Sequence, residues 1–158
     1  MYKNIRSFAL DFKIKYCMLY YLKNYPLTLL IAAVIIYLSF FKPPQTDMEE
    51  IPGIDKLVHI CMYGGLCFIL WIEYLRIHQT IHHLKVLTGG ILLPIAFSGV
   101  IELAQSYCTE HRGGDWFDLA ANTTGVVLSA LIGYYCLRPV LWKNRNRHAG
   151  DSHEQPTQ

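Results

Sequence analysis

The chain has 158 residues, of which 53% are apolar by type and 16% charged, and its mean hydropathy is +0.23. That balance excludes an ordinary soluble domain of this length and reads as a single membrane domain. The formal charge of +2 is small and divided among separate loops, which excludes a nucleic-acid-binding surface.

Residues 1–23 place Ile5, Phe8, Phe12, Tyr16 and Leu19 at helical spacing, with Arg6, Asp11, Lys13 and Lys15 turned away from that stripe. This pattern predicts a basic amphipathic helix lying on a membrane surface. Residues 24–142 follow as a transmembrane domain with four apolar stretches, giving an all-α, four-helix bundle. The first stretch, 26–41, starts with Pro26 at the tolerated first-turn position and stops at Pro43-Pro44. At ~1.5 Å per residue it needs a few flanking residues to cross the hydrocarbon core. No A-x-A-like cleavage site follows it, so it reads as a retained helix.

The second, third and fourth stretches cover 57–75, 86–107 and 119–137. Glu73, near the inner end of the second, is expected to pair with Arg76. Pro94 and the pairs Gly64-Gly65 and Gly89-Gly90 suit kinks or close helix approach. In the fourth stretch Ala121, Gly125, Ser129 and Gly133 recur every four residues, a seam of small side chains that predicts close helix packing. Residues 143–158 form a polar tail, expected to be disordered. The five cysteines make no C-x-x-C pair and read as free thiols. His78 and His82, in the loop before the third stretch, have helical metal-ligand spacing but no evident third ligand beside them, so a basic hairpin is the expectation there.

Counting Lys and Arg on alternate sides of four spans orients the chain. Lys3, Arg6, Lys13, Lys15, Lys23, Arg76, Lys85, Arg138, Lys143, Arg145 and Arg147 fall on one side; Lys42, Lys56 and Arg112 fall on the other. This asymmetry puts both termini in the cytoplasm and the 42–56 and 108–118 loops outside, as expected of a multi-pass inner-membrane protein.

With that topology the unusual polar residues collect at the outer face. Asp55, His59 and Tyr63 are spaced by four and share one face of the second helix, with Lys56 beside them. Glu102 and Gln105 lie three apart near the outer end of the third helix. Arg112 and Asp115 belong to the external loop, and Asp118 and Asn122 continue into the fourth helix. Carboxylates near helix starts are ordinary caps when taken singly. His59, Glu102 and Asn122 together lie a turn inside the apolar zone, where polar groups without a task are costly, so the set reads as a functional site.

The Asp55-Lys56-Leu57-Val58-His59 run with Tyr63, the Glu102-Leu103-Ala104-Gln105 run, and Arg112-Gly113-Gly114-Asp115-Trp116-Phe117-Asp118 followed by Asn122 and Gly125 resemble the D-K-x-x-H, E-x-x-Q and R-x-x-D-x-x-D-x-x-x-N-x-x-G elements of VanZ-like membrane proteins, in that order. The resemblance covers roughly residues 37–137. It implies a cell-envelope setting and an association with lowered susceptibility to the glycopeptide antibiotic teicoplanin, without an established reaction.

Two functional readings follow. In one, the protein is an enzyme acting on a lipid-linked envelope molecule, with His59, Glu102, Asp115 and Asp118 as catalytic candidates for acid–base work or for holding a divalent cation. In the other, it is a non-catalytic accessory protein that binds a lipid head group or a partner through nearly the same residues. Asp55, Lys56, Tyr63, Gln105, Arg112 and Asn122 are the binding candidates in either case. Arg112, flanked by Gly113-Gly114, offers a planar guanidinium to a phosphate or to Asp115 and Asp118, with Lys56 as a second positive charge. Transport ranks below both, because the middles of the four stretches lack charge.

Overall fold

The computed structural model describes residues 2–40, 53–108 and 115–143, whose regular structure is entirely helical. In chain order these are α1 (Tyr2–Asn24), α2 (Pro26–Phe40), α3 (Ile54–Ile77), the single turn α4 (His83–Lys85), a π-helical stretch (Val86–Leu92), α5 (Leu93–Cys108), α6 (Trp116–Ile132) and a second π-helical stretch (Gly133–Leu137). Arg112, the 42–52 part of the first loop and the tail from 144 onward lie outside the described residues.

Among the described residues three continuous helical runs are long and apolar enough to cross a membrane: Ile54–Ile77, His83–Tyr107 and Trp116–Lys143. Phe12–Asn24 and Pro26–Phe40 pass the same test only as a pair, and they meet at 94°, so a fourth span exists if the bent pair is one. The distribution of side chains is that of a protein solvated by lipid. Leu30, Val100 and Leu131 are exposed, whereas Glu73, Ser98, Glu102, Gln105, Asp118, Asn122 and Ser129 are buried.

The elbow between α1 and α2 has a chemical cause. Pro26 opens α2 without an N–H, and the next two amides have no intrahelical acceptor. Glu73 of α3, buried among the helices, supplies one: its carboxylate accepts from Leu27 N at 3.0 Å, Thr28 N at 3.1 Å and Thr28 Oγ1 at 2.6 Å. A carboxylate at a helix N-terminus is also favoured by the peptide dipoles. The expected pairing with Arg76 is therefore replaced by a cap on a helix 46 residues away in sequence.

α3 and α6 form the most extensive helix pair. Their contact runs along the small-residue seam. A Cβ at Gly125 would lie 2.4 Å from the Ile60 carbonyl oxygen, and one at Gly133 would lie 2.3 Å from the Trp71 indole, so neither position has room for a side chain. Ser129 Oγ donates to Gly64 O at 2.7 Å between them. Beside this seam Ile35, Tyr63, Leu66, Cys67, Ile101 and Val126 form one apolar cluster, and Trp71, Leu75 and Ala130 form a second.

Pro94 stands in the first turn of α5, where a proline is tolerated. It follows the π-helical stretch Val86–Leu92, where the Leu93 N–H reaches back five residues to Thr88 O. A proline at 94 has no N–H for the carbonyl of residue 90, and the wider turn ahead of it accommodates that loss.

Candidate functional site

The start of α3, the start of α6 and the middle of α5 meet at one end of the bundle. Asp115 is the N-cap of α6, its Oδ1 accepting from Phe117 N at 2.9 Å, and Asp118 follows in the first turn. Asp55 opens α3, and His59 stands one turn further along the same face. Because Gly125 draws α6 against α3, these two helix starts face each other at short range.

Lys56 lies between the carboxylates. Its ammonium donates to Asp115 Oδ2 at 2.7 Å and to Asp118 Oδ1, and stands 3.6 Å from Asp55 Oδ2. The ammonium, and then the Phe117 N–H, hold the Asp115 carboxyl below its ordinary pKa. Asp118 is buried, with 9% of its side-chain surface exposed against 41% for Asp115.

His59 joins this group to the interior. Its Nε2 is 3.8 Å from Asp55 Oδ1 and 3.6 Å from Asp118 Oδ2, and its Nδ1 meets Asn122 Oδ1 at 3.0 Å. Asn122 in turn donates from Nδ2 to Ser98 Oγ of α5 at 2.7 Å. Asn122 and Ser98 are both 1% exposed, so the relay threads from the polar end into the packed bundle.

The structure thus brings together Asp55, Lys56, His59, Asp115, Asp118 and Asn122 in one connected network. Glu102 is buried beside it, lining with Asp115 a cleft of about 250 Å³ between α5 and α6. Leu103 and Trp116, on the same cleft, are exposed, so the cleft is open to the surroundings of the bundle. Gln105 is placed elsewhere: its Nε2 donates to Ser39 O at 2.8 Å and ties α5 to the end of α2. Tyr63 is 2% exposed and belongs to the core under His59; its hydroxyl lies near Ser98 without forming a well-shaped hydrogen bond. Arg112 lies outside the described residues.

Ser98 was not among the candidates read from the sequence. Its signal was present, since it precedes Glu102 by four residues and so shares a helical face with it. A serine in an apolar stretch is too common to single out without its partner across the bundle. In the loop before α4, His78 stacks on Tyr74 with ring centroids 4.4 Å apart, and its Nδ1 meets the Tyr74 carbonyl at 3.2 Å.

Among the described residues the network sets three carboxylates, those of Asp55, Asp115 and Asp118, around the single ammonium of Lys56. Comparison of the chain with family models, with curated proteins and with solved structures gave no match.

Proposed function

We propose that the chain is a four-span protein of the inner membrane with both termini in the cytoplasm, and that its polar end, at the extracytoplasmic face, receives the head group of a lipid-linked or anionic envelope molecule. In this reading α1 lies on the cytoplasmic surface and α2 crosses the bilayer, the 94° elbow being the turn from surface to span. The Lys and Arg asymmetry supports the orientation. The ordered VanZ-like motifs support the envelope setting.

The observation that carries the reading is the connected network of Asp55, Lys56, His59, Asp118 and Asn122 beside a cleft that opens between α5 and α6. A molecule anchored in the bilayer could slide its polar head through that mouth without leaving the membrane. The walls are apolar where acyl chains would touch them, at Leu103, Trp116 and Leu119, and polar where a head group would stop, at Glu102 and Asp115.

A catalytic version of this reading is favoured by one feature. His59 is oriented by Asn122 at Nδ1 and presents Nε2 to two carboxylates, an imidazole–carboxylate group of the kind used for acid–base work or for holding a cation. Mass spectrometry of lipids co-purifying with the intact protein tests both versions. One lipid class enriched with the wild type and lost with Asp118→Asn supports head-group recognition, and a chemically altered form of it accumulating only with the wild type supports catalysis. The same lipid profile from both proteins would sink the proposal.

A further inference from the structure

We propose that Asp55, His59 and Asp118 bind a divalent transition-metal cation of the Mn²⁺ or Zn²⁺ kind at the polar end of the bundle. The site belongs to the network already assigned to head-group binding. The role given below to the cation in admitting an anion rests on that reading, whereas metal binding itself does not.

The carboxylates divide their oxygens between two tasks. Asp118 gives Oδ1 to Lys56 and turns Oδ2 toward His59, while Asp55 turns Oδ2 toward Lys56 and Oδ1 toward His59. One oxygen of each is thereby aimed at Nε2 of the imidazole, and the three donor atoms lie within 4.8 Å of one another. A cation bonded at about 2.0–2.2 Å to each donor holds those donors roughly 3–4 Å apart. The separations of 3.6 Å and 3.8 Å from Nε2 already fall in that interval.

The imidazole is oriented from its other side. Asn122 Nδ2 donates to Ser98 Oγ, which leaves Asn122 Oδ1 as the acceptor facing His59 Nδ1. The ring is thereby held with Nε2 facing the two carboxylate oxygens, at 3.6 Å and 3.8 Å. Metal-bound histidines typically donate their other ring N–H to an oxygen acceptor, the part Asn122 plays.

Charge and chemistry select the cation. A divalent ion offsets the surplus of carboxylates over the single ammonium of Lys56, and with it the repulsion that an anionic head group would otherwise meet. Two carboxylate oxygens and one imidazole nitrogen suit Mn²⁺ or Zn²⁺ and leave positions open for water or a ligand oxygen. The donors sit on the first two turns of α3 and the first turn of α6, which the Gly125 contact holds in register. Lys56, bonded to Asp118, is a competitor for the same carboxylates.

A proton on Nε2 would satisfy the same electrostatics, and the experiment separates the two. The full chain is purified in detergent, stripped with a chelator and titrated with MnCl₂, with free Mn²⁺ read by electron paramagnetic resonance and helicity by circular dichroism. The expected result is one Mn²⁺ per chain, with affinity falling tenfold or more in His59→Ala and in Asp118→Asn. Asn122→Ala, which removes only the orienting group, should weaken binding by about tenfold. Lys56→Gln should bind more tightly than the wild type, a gain that misfolding cannot produce. The proposal is overturned by a wild type that takes up no stoichiometric Mn²⁺, by unchanged uptake in the helical His59→Ala and Asp118→Asn variants, or by weaker binding in a helical Lys56→Gln. No lipid is present in the titration, so a protein that binds Mn²⁺ but co-purifies with no particular lipid class would defeat the head-group reading alone.

Discussion

Asp115 and Asp118 touch the same ammonium, and burial makes them unequal. Asp118 is enclosed, so Asp118→Asn weakens a buried charge-assisted hydrogen bond to Lys56 and should cost about 1.5 kcal/mol of stability. Asp115 is exposed enough for water and salt to replace it, and Asp115→Asn should leave the melting temperature close to wild type. Thermal unfolding in detergent, followed by size-exclusion chromatography of heated samples, checks the contrast; equal losses would mean that the two carboxylates share one environment. The pH dependence has a definite sign. Because the Asp115 carboxyl titrates below its unfolded value, its contribution is complete above the ordinary carboxylate range and disappears as the pH falls through the lowered folded pKa. Acid sensitivity at the low end should therefore be smaller in Asp115→Asn than in the wild type. Within one helix the site was legible, since Asp55 with His59 and Asp118 with Asn122 are each spaced by four. Pairings between helices, such as His59 with Asn122 and Asn122 with Ser98, were not legible, because they depend on the register in which α3, α5 and α6 pack.

At the scale of the element, hydropathy located the helices well and described their joints poorly. The stretches 57–75, 86–107 and 119–137 all fall inside the helical runs Ile54–Ile77, His83–Tyr107 and Trp116–Lys143. The seam from Ala121 to Gly133 was readable because residue size, unlike partner identity, is printed in the sequence. The elbow at Tyr25 was not, because its acceptor is Glu73, far along the chain, and a lone acidic residue near a basic one suggests a local pair first. Glu73→Ala should strand the Leu27 and Thr28 amides and destabilise the elbow by about 1–3 kcal/mol, whereas Glu73→Gln keeps an acceptor and should lose less. Trypsin cleavage after Lys23, at the end of α1, reads this directly. Cleavage should be fastest in Glu73→Ala and intermediate in Glu73→Gln, and three equal rates would show that the carboxylate does not hold the elbow.

For the whole molecule the decisive question is which side of the membrane the network faces. Single cysteines in place of Thr46 and Ser152, in a background whose five native cysteines are replaced, should differ in intact cells. The first should react with an impermeant thiol reagent and the second should not; the opposite pattern would turn the site toward the cytoplasm and remove its envelope role. The π-helical stretch Val86–Leu92 bears on how this architecture reads across related chains. A π turn accommodates roughly one residue more than an α turn, and one residue corresponds to about 100° of rotation about the axis. A helical wheel drawn straight through 83–107 therefore loses phase at the stretch and assigns the wrong faces to one half. A relative lacking one residue there would close the stretch into α turns and keep Ser98, Glu102 and the His83 end aimed as they are here. An alignment gap at that place would mark the loss of a π turn, with both halves of the helix conserved in space.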